Sequence, residues 1–313
     1  MTSVRQHGGM TLIEVLVVIG LIGVLVGLLL PAVQSVRGAA YRTVCQNNMK
    51  QIGTALHNFE SAHGRVPPAG PGDLRTITSR SPDVLLTWMA HILPQVEQGE
   101  LWSASVRACA TESDATRNPP HVGYATPVKV YVCGADNRLQ APAQTPSGKM
   151  AAFTSYIGIG GSFIGPAVEV SANGQTIRAA PGVFSDLPGI RFTDVSDGTS
   201  QTIMVGERPP PATFQAGIWY TALRVEVNTG PDGVMIYGAP WLTGGGRCSA
   251  ASPLFGPGRL DNPCDRNHLW SLHRGGANFL FADGSVRFLP YSAESIIPSL
   301  ATSRGGEVAS LPE

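Results

Sequence analysis

"GGMTLIEVLVVIGLIGVLVGLLLPAVQSVRG", residues 8–38, decides how the rest of the chain is read. From residue 15 to residue 36 no side chain carries a formal charge. As a helix rising 1.5 Å per residue, that stretch is about 33 Å long, close to the thickness of a bilayer's hydrocarbon core. Two plainer alternatives are a removable secretory signal and a buried core helix. A secretory signal places small residues in A-x-A fashion after its apolar region, and Gly38-Ala39-Ala40 is a weak version of that pattern. A core helix so uniformly apolar is out of place at the front of a soluble domain. The expectation is a membrane span over residues 12–36. Arg5 precedes the span while Arg37 and Arg42 follow it, so the positive-inside count does not set its orientation. The short polar leader favours a cytoplasmic N-terminus with the remainder in the periplasm or at the cell surface. Glu14 is the anomaly, because an acid near the centre of a bilayer helix costs about 2.5–3.5 kcal/mol. It asks for a partner, or else snorkels to the interface.

Working outward, Val36, Ala40, Val44, Asn48, Ile52, Leu56 and Phe59 recur every three or four residues, the stripe by which one helix face meets a globular body. Asn48 interrupts the stripe. Gly64, followed by Pro67 and Pro68, is a stop signal. The helix is therefore expected over residues 10–63, its first half in membrane and its second against a head spanning residues 64–313.

Glycine (37) and proline (25) concentrate in that head, between short apolar segments, and predict a β-rich, turn-rich domain. "DVLLTWMAHILPQVEQGELW" (residues 83–102) reads as a short helix broken at Pro94 with Trp88 and Leu93 in the core. "KVYVC" (129–133) and "TSYIGIGG" (154–161) read as strands. "FTDVSDGTSQTIMVGE" (192–207) reads as an acidic turn followed by a buried strand. "GGANFLFADGSVRFLP" (275–290) reads as a hairpin turning at Asp283-Gly284.

The 22 basic and 22 acidic side chains among 313 residues cancel, which leaves no basic footprint for DNA or RNA and excludes nucleic acid as a partner. Cys45, Cys109, Cys133, Cys248 and Cys264 show no C-x-x-C pair and no finger-like zinc spacing. Outside the cytoplasm disulfides are permitted, and Cys248 with Cys264 would close a short loop, though an odd count leaves one cysteine unpaired within the chain. Catalytic signatures are weak. Ser162 in "GGSFIG" lacks the glycine spacing of a nucleophile elbow, and "LTGGGR" lacks the Lys-Ser/Thr of a phosphate-binding loop. Asp265, His268, His273 and Asp283 have metal-ligand chemistry in no defined spacing, so a tethered hydrolase built on His268, His273 and Asp283 ranks last. Asp194 and Asp197 in "DVSDGTS" offer hard oxygen ligands for calcium, which needs six to eight of them.

Gly9-Met10-Thr11-Leu12-Ile13-Glu14 ahead of an apolar helix resembles the class III signal of type IV pilins and type II secretion pseudopilins. The resemblance implies cleavage by prepilin peptidase after Gly9 and N-methylation of Met10. It also implies pairing of Glu14 with that new amine on a neighbouring subunit, and a kink-forming role for Pro31. "CQNNMKQIGTALHNF", "YVCGAD", "DVSDGTSQTIMVGE" and the terminal His273, nine residues, Asp283-Gly284 element resemble a large bacterial prepilin-like family whose biochemical role is unassigned. "YVCGAD" departs from the family's usual proline and serine after the cysteine. The family motifs contain both Cys45 and Cys133, which implies a disulfide from helix to body, and the resemblance to calcium-binding pseudopilins adds weight to the Asp194/Asp197 site. The expected protein is an α+β, pilin-like structural subunit, non-enzymatic and without a required cofactor. It would be held in a bacterial inner membrane and assemble with itself or other pilins into a filament. The rival expectation is a tethered module that binds a glycan or envelope protein through loops at residues 78–83 and 242–264 without polymerising.

Overall fold

The computed structural model describes residues 12–69, 86–117, 120–162, 168–172, 175–184, 189–221, 234–237, 248 and 255–306; Gly9, Met10 and the loop at 78–83 lie outside them. Helix α1 (Leu12–His63) is continuous through Pro31 and carries Glu14 in its first turn. At 1.5 Å per residue it is about 78 Å long, far more than a bilayer needs. Its apolar first half, long enough to cross a membrane, is exposed along its length. Gly64 ends it with φ of +74°, its amide donating to the Glu60 carbonyl at 2.7 Å, a left-handed helix stop that glycine takes without a steric penalty.

Among the described residues the head is built on one main sheet with both faces covered. Strands β1 (Ala143–Gln144) and β2 (Met150–Ala151) form a small separate pair. The main sheet holds β3 (Tyr156–Ser162), β4 (Val168–Ala172), β5 (Gln175–Pro181), β6 (Ile203–Glu207), β7 (Val234–Tyr237), β8 (Gly276–Phe281) and β9 (Val286–Pro290) in the order β4-β5-β3-β6-β8-β9. Neighbours along this path are antiparallel, while β7 pairs with β3 in parallel. The hairpin at 275–290 forms, with Gly284 at φ of +77° and the Phe281 amide donating to the Ser285 carbonyl at 2.9 Å.

Alternation along the strands divides the core. Ala277, Phe279 and Phe281 of β8 face a layer closed by the C-terminal segment, including helix α4 (Ile297–Leu300). Leu280 faces α1, whose buried residues are Cys45, Met49, Ile52, Gly53, Ala55, Leu56 and Phe59. Each of the larger of these contributes on the order of 1.5–3 kcal/mol by burial. Helices α2 (Trp88–His91) and α3 (Gly99–Thr111) flank this layer, with Trp88 and Leu93 fully buried.

Two expectations are corrected. The amphipathic stripe starts later than its spacing suggests: Val36, Ala40 and Val44 are exposed, and burial begins at Cys45. The 129–133 stretch is no strand, because Lys129–Tyr131 is a 3-10 turn. Its backbone groups find partners outside any ladder. Asn48 Nδ2 donates to the Val132 carbonyl (2.8 Å), the Cys133 amide donates to Ser155 Oγ (2.9 Å), and the Tyr131 carbonyl accepts from the Ser155 amide (2.9 Å). Backbone polarity satisfied this way leaves nothing for a neighbouring strand to pair with.

Candidate functional site at the junction of helix and head

Cys45 on α1 is disulfide-bonded to Cys133, just past the 3-10 turn of the head. Cys248 is bonded to Cys264, and Cys109 is a buried thiol 3.8 Å from His121 Nδ1. Around the first disulfide lies a buried polar cluster drawn from four separate elements. Glu207, at the end of β6, is only 1% exposed, and its Oε1 lies 3.3 Å from His273 Nε2. The same nitrogen stands 3.5 Å from Cys133 Sγ. The ligating atoms of Cys45, Cys133, Glu207 and His273 all lie within 4.8 Å of one another.

Each member is held by a second layer of contacts. The Asn278 amide and side chain on β8 donate to Glu207 Oε2 (2.7 Å) and Oε1 (3.1 Å). The His273 amide donates to Ser271 Oγ (3.0 Å), which in turn donates to the Gly276 carbonyl (2.7 Å). Tyr156, on β3, accepts from Asn48 Nδ2 (3.4 Å) and reaches the Cys45 carbonyl (3.5 Å). Burial, reinforced by the charge on Glu207, pushes the Tyr156 phenol well above its ordinary value, so it serves as a neutral hydrogen-bonding group. Asn48, which interrupts the apolar stripe, is thereby a polar pin between α1 and the head.

The two halves of the His273…Asp283-Gly284 element lie at opposite ends of β8, about 20 Å of strand apart. His273 meets the disulfide end of α1. At the far end Lys50 Nζ donates to the Gly284 carbonyl (2.8 Å), and a Cβ at Gly284 would stand 3.4 Å from His57 Nε2. Asp283 accepts from the Ser285 amide (2.8 Å) and lies 3.9 Å from Arg287. The element brackets the strand on which α1 lies. Gly134, the departure in "YVCGAD", sits against the same helix: a Cβ there would meet Val44 Cγ1 at 3.2 Å.

The residues considered for a hydrolase do not converge. The partner of His273 is Glu207 rather than Asp283, while His268 lies beside Asp265 at 3.8 Å. Asp194 and Asp197 are engaged by the chain's own donors. Asp194 accepts from the Arg191 amide (3.2 Å), and Asp197 from Thr302 Oγ1 (3.1 Å) and the amides of Gly305 (2.7 Å) and Gly306 (2.9 Å). Of the loop at 242–264, only Cys248 and residues 255–264 are described.

Burial holds the His268 ring below its ordinary value despite the nearby charges of Asp265 and Glu294, and burial lowers His121 as well. In the unfolded chain both rings would titrate near 6.5. The unfolded state therefore takes up more protons on acidification, so the stability held above about pH 6.5 is lost progressively as pH falls below it. Thermal melts at pH 7.5 and 5.5 should show a lower midpoint at the acidic pH, and His268→Gln should flatten that slope. A midpoint that rises on acidification would contradict the assignment.

Residues 34–295 match a family described as a protein of unknown function (DUF1559), and residues 4–30 match the prokaryotic N-terminal methylation motif. Neither a curated protein nor a solved structure matches the chain.

Proposed function

Because the chain belongs to the DUF1559 family and its N-terminal region carries the prokaryotic N-terminal methylation motif, we propose that this pilin-like protein is a non-enzymatic, pseudopilin-like structural subunit. In this reading prepilin peptidase cuts after Gly9, the new N-terminus at Met10 is methylated, and residues 12–36 hold the chain in the bacterial inner membrane. The head stands on the periplasmic or outer side, and subunits assemble through α1 into a pilus- or secretion-related filament. The observation that carries the reading is the division of one continuous helix. From Cys45 onward it is buried against the head and stapled to it, whereas residues 15–36 are exposed and carry no charge. A surface of that size is stable only in lipid or against other apolar helices. Gly20, Gly23 and Gly27 carry no side chain, which lets the backbone of a neighbouring helix approach closely.

Mass spectrometry of the N-terminal peptide from the membrane fraction of the native host tests processing. A peptide beginning at Met10 with one added methyl is the expected result. A start at Met1 or Thr2 would leave Glu14 without its amine partner and favour the tethered binding module. Cleavage near Ala40 would remove the anchor and end the pilin reading.

A further inference from the structure

We propose that Cys45, Cys133, Glu207 and His273 form a zinc site when the two cysteines are thiols, so that the helix–head junction can be closed by a disulfide or by a metal ion. A staple between α1 and the head accounts for two sulfurs. It does not by itself account for a buried carboxylate oxygen and an imidazole nitrogen gathered with those sulfurs within 4.8 Å of one another. A tetrahedral zinc ion bound by sulfur at about 2.3 Å, nitrogen at about 2.05 Å and oxygen at about 2.1 Å has ligand-to-ligand edges of about 3.4 Å for N to O and about 3.6 Å for S to N. The corresponding separations are 3.3 Å from His273 Nε2 to Glu207 Oε1 and 3.5 Å from Cys133 Sγ to His273 Nε2. Two thiolates, an imidazole and a carboxylate are a donor set suited to zinc's borderline-soft character. The Asn278 donors to both oxygens of Glu207 are the outer contacts that orient a ligating carboxylate.

The chemistry balances with a dithiol as reductant. Two electrons enter the Cys45–Cys133 bond and two protons yield the thiols, while the reductant leaves as its own disulfide. Zinc then displaces the two thiol protons, each sulfur forms a metal bond, and the sulfurs open to an edge of about 3.8 Å. The metal and the S–S bond exclude one another, because both use the same sulfur electrons.

The test uses the full chain in detergent, reduced with a dithiol under anaerobic conditions and titrated with cobalt(II) as a spectroscopic stand-in for zinc. Expected are one cobalt per chain, visible bands of tetrahedral cobalt, a thiolate-to-cobalt charge-transfer band, and displacement of cobalt by zinc. The oxidised chain should give none of these. Glu207→Gln, close in shape to the native side chain and with the disulfide still available for folding, should bind at least about tenfold more weakly after reduction. His273→Ala should weaken binding at least as much. A reduced native chain that gives no tetrahedral spectrum, whether it unfolds or stays folded, overturns the proposal. So does affinity unchanged in both variants, which would mean that the cysteines alone hold the metal.

Discussion

Cys45→Ser is expected to lower the stability of the oxidised protein by about 4 kcal/mol. Cys45 and Cys133 are separated by 88 residues, and the chain-entropy account of a cross-link gives about 4.6 kcal/mol for a loop of that size, at the top of the range usually measured. The loop also joins two units that would otherwise meet only by packing and a few hydrogen bonds, since Cys45 is the first residue of α1 buried against the head. Met49, Ile52, Leu56 and Phe59 keep the rest of the helix docked, so the variant should fold with a lower midpoint rather than lose its structure. For a domain of this size the loss corresponds to a fall of roughly 8–16 °C. Cys264→Ser provides the internal comparison. Its bond spans 16 residues, for which the same account gives about 3 kcal/mol. Thermal melts under non-reducing conditions should rank Cys45→Ser as the more damaging change. The reverse order would mean that the helix is held mainly by its apolar face and its hydrogen bonds to the head, and that the junction disulfide is secondary.

What could be read from the sequence was whatever depends on neighbours in the chain. The apolar run at 15–36, the Gly64 stop and the hairpin at Asp283-Gly284 each carry their cause within a dozen residues, and each is present as read. The misread pieces are those decided elsewhere. "KVYVC" has strand-like residues, yet its backbone is claimed by Asn48 and Ser155 from other parts of the fold. The apolar stripe of α1 has the right period but is buried by the head only from Cys45, because the head's extent determines where burial starts.

Glu207 was missed for a similar reason. Read as a strictly alternating strand, residues 203–207 place it on the same side as Ile203, away from α1. A register shift between Ile203 and Val205 brings Met204 and Val205 both into the layer beneath α1, and Glu207 then points at the disulfide. Bulges re-aim side chains in this manner, and one strand's residue types do not announce them. The available signal was a carboxylate closing the apolar run "TIMV", which in a buried strand demands a partner. Its partners lie 74 residues upstream at Cys133 and 66 downstream at His273, so one sequence could not single them out from the other acids, histidines and cysteines.

Glu14→Ala is expected to abolish filament assembly while leaving the protein in the membrane at native or higher abundance. Within one chain the carboxylate sits in the first turn of α1, where the helix dipole favours an anion by about 0.3–1 kcal/mol. An acid deep in a bilayer helix costs about 2.5–3.5 kcal/mol and one near the helix end less, so alanine should insert at least as readily. In the proposed filament the carboxylate gains its main stabilisation from a second subunit. A carboxylate and an N-methylated amine about 4 Å apart attract by about 4 kcal/mol at an effective dielectric of about 20, and that pairing is available only when neighbouring helices are offset along their axes. Removing it lowers each association constant by about a thousandfold and leaves the amine of the next subunit without its counter-charge, a cost repeated at every step of the filament. Glu14→Asp, which keeps the charge on a shorter arm, should restore part of the assembly, whereas Glu14→Gln should restore little. Shearing and electron microscopy of cells expressing each variant, with membrane abundance measured in parallel, separate the two effects. Filaments from Glu14→Ala in native amounts would show that packing of the exposed apolar helix suffices for assembly, and the carboxylate would then be read as a dipole partner of its own helix.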